Sequence, residues 1–172
     1  MSLLSFTPGS VLRVGITGGI GSGKSWLLKY LSQYEWIHTL NLDLLGHEVQ
    51  TFPHVISTIH ERFGDEVLSD NGLINRAVLG KHVFSDKNQL EFLNKTMQPE
   101  MRALMNWRVQ EAADRPDIDL VAVEGAIIIE AKFHTEFHSI WVTTLEETEA
   151  VGRILERNPE LTREDAEARI RA

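Results

Sequence analysis

Apolar residues follow two different spacings along the chain, and the change between them predicts the secondary structure. Residues 11–17 form a short run rich in valine and isoleucine, which is typical of a buried strand. Similar runs predict strands at 35–42, 120–124 and 140–143. Elsewhere apolar residues recur every three or four positions, which is the spacing of an amphipathic helix.

Helical spacing dominates the long stretch between the second and third predicted strands. Predicted helices cover residues 24–34, 44–50, 55–63, 75–84, 86–97 and 99–113, with Pro99 as the first residue of the last one. Two more helices are expected to begin at capping boxes, at Thr144 to Glu147 and at Thr162 to Asp165. A helical block of some seventy residues is therefore expected between strands.

A glycine-rich segment follows the first predicted strand and opens the first predicted helix. It fits the pattern G-x-x-x-x-G-K-[ST] in full. Glycines let such a loop turn its backbone N–H groups toward a triphosphate without a clash of Cβ atoms. Lys24 supplies a charge for the β- and γ-phosphates, and Ser25 can ligate Mg²⁺ at the positive end of the helix. The predicted phosphate-binding residues are Gly18, Gly19, Ile20, Gly21, Ser22, Gly23, Lys24 and Ser25.

The alternation of strands and helices at both ends of the chain favours an α/β fold with a parallel sheet. Together with the loop it predicts a P-loop kinase fold, in which helices flank the sheet and a helical insertion follows the second strand. The predicted divisions are 11–43 with 118–150 for the nucleotide-binding core, 44–117 for the insertion and 151–172 for lid helices.

Two acidic residues stand at the ends of predicted strands. Ligands of parallel sheets bind beyond the carboxyl ends of the strands, so Asp43 and Glu124 are expected beside the loop. Asp43 can accept a proton from an attacking hydroxyl, although its spacing is explained equally well by a helix N-cap. Glu124 can hold Mg²⁺ through water, or it can simply be a strand end that faces solvent.

Composition and charge narrow the classes of function. The 172 residues suit one domain with room for an inserted subdomain, and they include no cysteine, which excludes disulfides, thiolate zinc sites and cysteine nucleophiles. A net charge of −8 argues against general binding of nucleic acid. No transmembrane span or secretory signal is evident, so a cytoplasmic protein is expected. The oligomeric state stays open.

A wider set of motifs resembles the dephospho-coenzyme A kinase family. The phosphate loop is followed by Asp43-x-Leu45-Gly46-His47, which is nearer the form in animal bifunctional coenzyme A synthases. Further segments that resemble the family lie in order along the chain, at 63–68, 70–80, 83–86, 98–102, 127–131 and 149–170. The likeness runs from about Val14 to the end of the chain.

The resemblance implies transfer of the γ-phosphoryl group of ATP, with Mg²⁺, to the ribose 3′-hydroxyl of dephospho-coenzyme A. It implies catalytic roles for Asp43, Lys24 and Arg157, with Arg157 in a lid. Arg153 and Arg169 are the other lid candidates for contact with the phosphates. Candidates for binding the acceptor are Asp43 at the end of the core and, in the helical insertion, His47, Arg76, Gln98 and Arg102.

The chain also departs from the family at several positions. Asn41 stands where the family usually has aspartate, and Gln98 replaces a histidine, so a group that titrates is absent there. Trp26 stands where a small hydroxyl residue is common. The sequence stops at Ala172, inside the segment that resembles the lid, whereas the family continues through a further strand and helix; if nothing follows Ala172, part of the expected adenine site is absent.

Two other functions are compatible with the sequence. One is another small-molecule or nucleoside monophosphate kinase on the same fold. The other is a non-catalytic module that binds nucleoside triphosphates without transferring phosphate. The phosphate loop alone fits all three functions, since it establishes only the binding of ATP or GTP phosphates.

Overall fold

A computed structural model of the protein describes residues 11–171, except for the side chain of Arg171. Residues 1–10, for which no secretory signal is expected, and residue 172, the last of the predicted lid, lie outside the described part of the chain. The chain divides into two compact units. We call the residues up to Asn41 together with those from Val109 onward the sheet unit, and Leu42–Arg108 the helical unit.

The sheet unit is built on four parallel strands, as the alternating pattern predicts. The strands are β1 (Leu12–Gly18), β2 (Ile37–Asn41), β3 (Leu120–Glu124) and β4 (Ser139–Thr143). Their order across the sheet is β2-β3-β1-β4. Every residue of β3 is buried, which explains why this strand is a continuous apolar run rather than an alternating one. The predicted α/β class is confirmed.

Helices account for most of the remaining chain. They are α1 (Lys24–Leu31), α2 (Leu42–Val49), α3 (Pro53–Phe63), α4 (Arg76–Ser85), α5 (Lys87–Ala113), α6 (Glu147–Arg157) and α7 (Arg163–Arg171). Short 3-10 helices lie at Asp65–Val67 and Phe133–Glu136. Within residues 11–171, no helix is both long enough and apolar enough to cross a bilayer.

Strand register brings the carboxyl ends of all four strands to one edge of the sheet, which we call the carboxyl rim. Glu124 pairs with Ile16 on one side and with Asn41 on the other. Gly18 pairs with Thr143. Helix α1 packs against this sheet through Leu31, which joins the apolar core formed by β1 and β3. The start of α1 and the loop before it are thereby held at the rim.

The prediction that Pro99 begins a helix is wrong, because α5 is one helix with Pro99 inside it. Proline removes one backbone hydrogen bond and costs about 3 kcal/mol in a helix interior. The buried residues Met97, Met101, Met105 and Val109 follow each other at helical spacing across that position. Burial of this stripe favours one continuous helix despite the proline.

Of the two predicted capping boxes, the structure contains one. The box at Thr162 is confirmed, since Asp165 N donates to Thr162 Oγ1 at 3.2 Å and the Thr162 hydroxyl donates to Asp165 Oδ2 at 2.7 Å. Hydrogen bonds from the side chain and backbone of Thr162 lower the pKa of Asp165. The box at Thr144 is wrong: residues 144–146 are not helical, and α6 begins only at Glu147, after the extended N-cap residue Glu146.

Candidate nucleotide-binding site

The glycine-rich loop between β1 and α1 has the backbone that its sequence requires. Gly18, Gly21 and Gly23 have φ angles of 147°, 76° and 94°, a region that L side chains rarely adopt. A Cβ atom on Gly18 would lie only 2.3 Å from the carbonyl oxygen of Thr143. Gly19 has open space around it. Glycine at position 18 is therefore needed both for backbone conformation and for close approach to β4.

Thr143 fastens the loop to the carboxyl end of β4. Its hydroxyl oxygen lies 2.7 Å from Ser22 Oγ and 3.3 Å from the Thr17 carbonyl oxygen. Ser22 Oγ also lies 2.7 Å from the Gly19 carbonyl oxygen, to which it donates. Each hydroxyl has one proton, so the shortest arrangement has Thr143 donating to Ser22 and Ser22 donating to Gly19. Thr143 is not among the predicted site residues, although its place at the end of a parallel strand is the available signal.

Lys24 lies against the loop that it is expected to serve. Its ammonium group donates to the carbonyl oxygens of Gly18 at 2.8 Å and Gly19 at 2.9 Å. Ser25 is exposed in the first turn of α1, whose N-terminal end carries partial positive charge. A full charge, unsatisfied helix N–H groups and a hydroxyl therefore come together in one short segment, which suits an anionic ligand.

A cavity of about 700 Å³ adjoins the loop within the sheet unit. One side comes from the loop and α1, and the other side comes from the chain after β4 and from α6. Its lining residues are Ser22, Gly23, Trp26, Leu27, Thr143, Thr144, Leu145, Arg153, Glu156 and Arg157. The structure thus brings two of the three predicted lid arginines to the space beside the loop.

The three lid arginines have different surroundings. Arg153 donates from Nη2 to Glu149 at 2.8 Å, and its Nη1 lies 3.4 Å from the Gly21 carbonyl oxygen. Arg157 is exposed in the last turn of α6 and lines the cavity. Arg169 is exposed on α7 and is not among the lining residues. Contact between α6 and α7 is apolar, through Val151, Ile154 and Ala166.

Glu124 and Asn41 form a hydrogen-bonded pair at the carboxyl rim. Asn41 Nδ2 donates to Glu124 Oε2 at 2.6 Å. Glu124 is only 3% exposed, so the interpretation of this residue as a solvent-facing strand end is wrong. A buried carboxylate needs donors or cations around it, and the amide of Asn41 provides one such donor.

Asp43 lies in the helical unit, in the first turn of α2. The helix begins at Leu42, so the N-cap interpretation of Asp43 is wrong and the predicted second strand ends one residue too late. Its side chain is exposed, as is that of His47 in the last turn of the same helix. An acidic residue in a first turn lies at the positive end of the helix dipole, which is a favourable position for the helix.

The remaining acceptor candidates are spread over two helices of the helical unit. Gln98 and Arg102 lie one turn apart on α5 and line a cavity of about 530 Å³, together with Asn94, Lys95, Pro99, Ala103 and Asn106. Arg76 is exposed at the first position of α4, after the N-cap Asn75. The structure therefore groups Gln98 with Arg102, whereas Arg76 and His47 are not among the residues that line this cavity.

Metal ligands within residues 11–171 are sparse. No group of three or more histidine, aspartate or glutamate residues there could hold a metal ion. Magnesium at a triphosphate needs only one or two protein ligands, because phosphate oxygens and water supply the others. Hard oxygen ligands such as the Ser25 hydroxyl and the Glu124 carboxylate suit that ion, so the residues present fit magnesium.

Comparisons with known proteins agree on one family. A sequence model of the family described as dephospho-CoA kinase matches residues 12–172. The dephospho-CoA kinase of Dehalococcoides mccartyi is 33% identical over 159 residues, which cover 92% of this chain and 79% of that protein. The dephospho-CoA kinase of Carboxydothermus hydrogenoformans is 32% identical over 160 residues, which cover 92% of this chain and 76% of that protein.

Solved structures show the same fold. A crystal structure of a Thermus thermophilus protein, 28% identical, superposes with a TM-score of 0.78 and covers 94% of this chain and 80% of that one. The dephospho-CoA kinase of Campylobacter jejuni is 19% identical and has a TM-score of 0.60, with 92% of this chain and 77% of that chain covered. At the latter identity the likeness shows the fold alone. The predicted P-loop kinase fold and family resemblance are confirmed, and the closer likeness to the animal form stays a prediction.

The Thr143 hydroxyl is predicted to keep the loop ready for phosphate. Thr143→Val removes the hydroxyl with little change of volume, so we expect ADP affinity to fall about fivefold, the equivalent of one hydrogen bond of ~1 kcal/mol. Thr143→Ser keeps the hydroxyl and serves as the matched control. Isothermal titration calorimetry with Mg·ADP measures both affinities; an equal loss in the serine variant would contradict this role.

The Asn41 amide is predicted to stabilise the buried Glu124 carboxylate. Asn41→Leu removes the donor, and we expect the free energy of unfolding to fall by about 1.5–3 kcal/mol, the range for hydrogen bonds to charged groups. Urea denaturation measures this value, with the exposed Asn88→Leu as control. Asn41→Asp places a second carboxylate beside the first, so added Mg²⁺ should raise its stability more than that of the unaltered protein. Equal stabilisation of both by Mg²⁺ would contradict the argument.

Proposed function

The chain belongs to the dephospho-CoA kinase family, whose members are phosphotransferases with an alcohol acceptor, and we propose that it phosphorylates the ribose 3′-hydroxyl of dephospho-coenzyme A with ATP. The product is coenzyme A, and the reaction is the last step of its biosynthesis. The observation that carries the proposal is the formed phosphate loop at the carboxyl rim, with Lys24 in it and a cavity beside it. A cytoplasmic location goes with this proposal, and the absence of cysteine fits a reducing compartment.

The donor phosphates are bound by the loop. Positive φ angles at Gly21 and Gly23 allow consecutive N–H groups to face an anion. The Lys24 ammonium already lies at the loop, where phosphate oxygens take the place of its carbonyl partners. Phosphoryl transfer depends mainly on positioning and neutralisation of charge, and these residues provide both on the donor side.

Magnesium would be held by Ser25 directly and by Glu124, either directly or through water. The bound ion supplies neutralisation of charge on the β- and γ-phosphate oxygens. Burial of Glu124 and its hydrogen bond from Asn41 restrict the carboxylate to one orientation. A carboxylate restricted in this way loses less entropy when it binds a ligand.

Asp43 is the proposed base on the acceptor side. The ribose hydroxyl oxygen forms a bond to the γ-phosphorus as the bond to the β-phosphate oxygen breaks, and ADP leaves. The hydroxyl proton passes to the Asp43 carboxylate. Asp43 follows Asn41 by two residues, so chain connectivity ties it closely to the end of β2. The Asp43 side chain is exposed in the first turn of α2, where an incoming hydroxyl can reach it.

The arginines of α6 and α7 are the proposed lid. Arg157 provides a cation in the cavity next to the loop, while Arg153 bonds the loop carbonyl of Gly21 and so links α6 to the phosphate site. Arg169 is a further candidate for contact with phosphate charge. Closure of such a lid excludes water and limits hydrolysis of ATP in competition with transfer.

The helical unit is proposed to hold the acceptor. Gln98 and Arg102 provide an amide and a cation in one cavity of α5, and His47 and Arg76 are further candidates. Gln98 donates and accepts hydrogen bonds but does not titrate. The contribution of Gln98 to acceptor binding should therefore be independent of pH between about 5 and 8.

The test of the proposed function is a coupled assay of ADP release with and without dephospho-coenzyme A. We expect release that depends on the acceptor and far exceeds release with nucleoside monophosphates or with shikimate. A preference for one of those acceptors would identify a different small-molecule kinase. ADP release at equal rates with and without acceptor, or nucleotide binding with no release, would overturn the kinase assignment.

The role of Asp43 has its own prediction. Asp43→Asn removes the proton acceptor at nearly constant shape, so kcat should fall by several powers of ten while ATP affinity stays nearly intact. Steady-state kinetics give kcat, and calorimetry gives the affinity. The exposed turn residue Asp70, changed to asparagine, is the control and should leave both unchanged. Near-normal turnover in Asp43→Asn would exclude Asp43 as the base.

A further inference from the structure

Trp26 lies in the first turn of α1, two residues after Lys24, and its side chain is largely exposed. The residue is 67% exposed, although a large apolar side chain gains about 1.5–3 kcal/mol from burial. It lines the cavity beside the loop, together with Gly23 of the loop and Arg157 of α6. Part of its exposed surface therefore borders a space that adjoins a phosphate site, and another part borders a smaller cavity that Lys29, Tyr30 and Gln33 also line.

The indole ring of Trp26 is held by aromatic neighbours. It stacks on Tyr30 with ring centres 5.6 Å apart and planes 10° from parallel. Tyr34 packs on Tyr30 at 5.7 Å and donates its hydroxyl to the Tyr30 hydroxyl at 2.9 Å, and this hydrogen bond raises the pKa of Tyr34. Tyr34 also contacts Trp36, with ring centres 5.9 Å apart. We call these four residues the aromatic row.

The aromatic row leaves one indole face for a ligand. Stacking on Tyr30 uses one face of a planar ring, and the exposed fraction shows that much of the rest is accessible. Because α1 and the row restrict the ring, binding at it costs less entropy than binding at a mobile side chain. Such a surface suits a planar ligand group, since aromatic rings prefer offset stacking.

The phosphate loop next to the cavity limits which chemical group can bind against Trp26. Ser22 and Gly23 belong both to the phosphate loop and to the cavity lining. A molecule with its phosphates in the loop must place the group attached to them in the adjoining space. For a nucleoside triphosphate, that group includes a planar base. Arg153 and Arg157, which also line the cavity, suit the same anionic molecule.

We propose that Trp26 is the stacking platform for the base of the nucleoside triphosphate, which it recognises by the face of the ring rather than by its hydrogen-bonding edge. This inference rests on the proposed use of such a donor. Stacking on an aromatic side chain tolerates every base, because each has a π-face. Larger purine rings offer more surface than pyrimidines. Trp26 therefore favours purine over pyrimidine nucleotides and contributes little to the choice between adenine and guanine.

The test compares the binding of Mg²⁺ complexes of ADP, GDP and CDP and of inorganic tripolyphosphate by calorimetry, with no acceptor present. Trp26→Ala should weaken ADP and GDP about tenfold or more and CDP less, whereas tripolyphosphate, which has no base, should bind as before. Trp26→Phe should recover most of the ADP affinity. Trp107→Ala, which removes an exposed indole of the helical unit, is the matched control and should change nothing.

A spectroscopic measurement identifies the residue directly. The protein has four tryptophans, so ADP should change its intrinsic fluorescence in the unaltered chain and in Trp107→Phe, but much less in Trp26→Phe. Three results would each overturn the inference. In Trp26→Ala they are an unaltered ADP affinity, or an equal loss of affinity for ADP and for tripolyphosphate. In the unaltered protein, the result is tripolyphosphate that binds as tightly as ADP. If ADP binds through Trp26 but dephospho-coenzyme A is not phosphorylated, the proposed function fails and the platform stands.

Discussion

Close approach between the phosphate loop and the end of β4 is the constraint on which the site depends. Side-by-side pairing of Gly18 with Thr143 leaves no room for a Cβ atom on the glycine. At the same point the Thr143 hydroxyl meets Ser22. Steric exclusion and hydrogen bonding therefore act together, and they hold the loop in one conformation before any ligand binds. A preformed loop avoids an entropic cost during binding.

Attachment of the loop to its neighbours also gathers positive charge in an acidic protein. The chain carries a net charge of −8, yet Lys24 lies in the loop, and Arg153 and Arg157 line the adjoining cavity. Arg153 contacts the loop directly through the Gly21 carbonyl oxygen. Local clustering of this kind allows a polyanionic ligand to bind in spite of the overall charge, because screening limits the influence of distant carboxylates.

The pair of Asn41 and Glu124 shows how one substitution changes the chemistry of the rim. Strand register places these residues side by side, and a second carboxylate at position 41 would lie against Glu124. An amide donor replaces that repulsion with a hydrogen bond. The rim keeps one buried carboxylate in a fixed orientation, with one negative charge fewer than a pair of acids would provide.

The two wrong predictions of where a helix begins have the same cause. Pro99 and Thr144 carry strong local signals for the start of a helix, but helix α5 continues through the first, and the chain stays extended beyond the second. In the first case a buried methionine stripe gives more stabilisation than the proline removes. A capping signal reflects the conformational preference of a few neighbouring residues. The free energy of packing is a sum over all the buried residues of the helix.

The sequence by itself determined the parallel sheet and the phosphate loop, because apolar periodicity and glycine spacing are local requirements of the backbone, and its ordered motifs carried the resemblance to the family. Only the tertiary structure decided that Thr143 fastens the loop, that Asn41 bonds Glu124 and that Trp26 faces the cavity beside the loop. Each of these arrangements joins parts of the chain that lie far apart in the sequence. Strand order and register set such distances, and neither can be deduced from the spacing of residues along the chain.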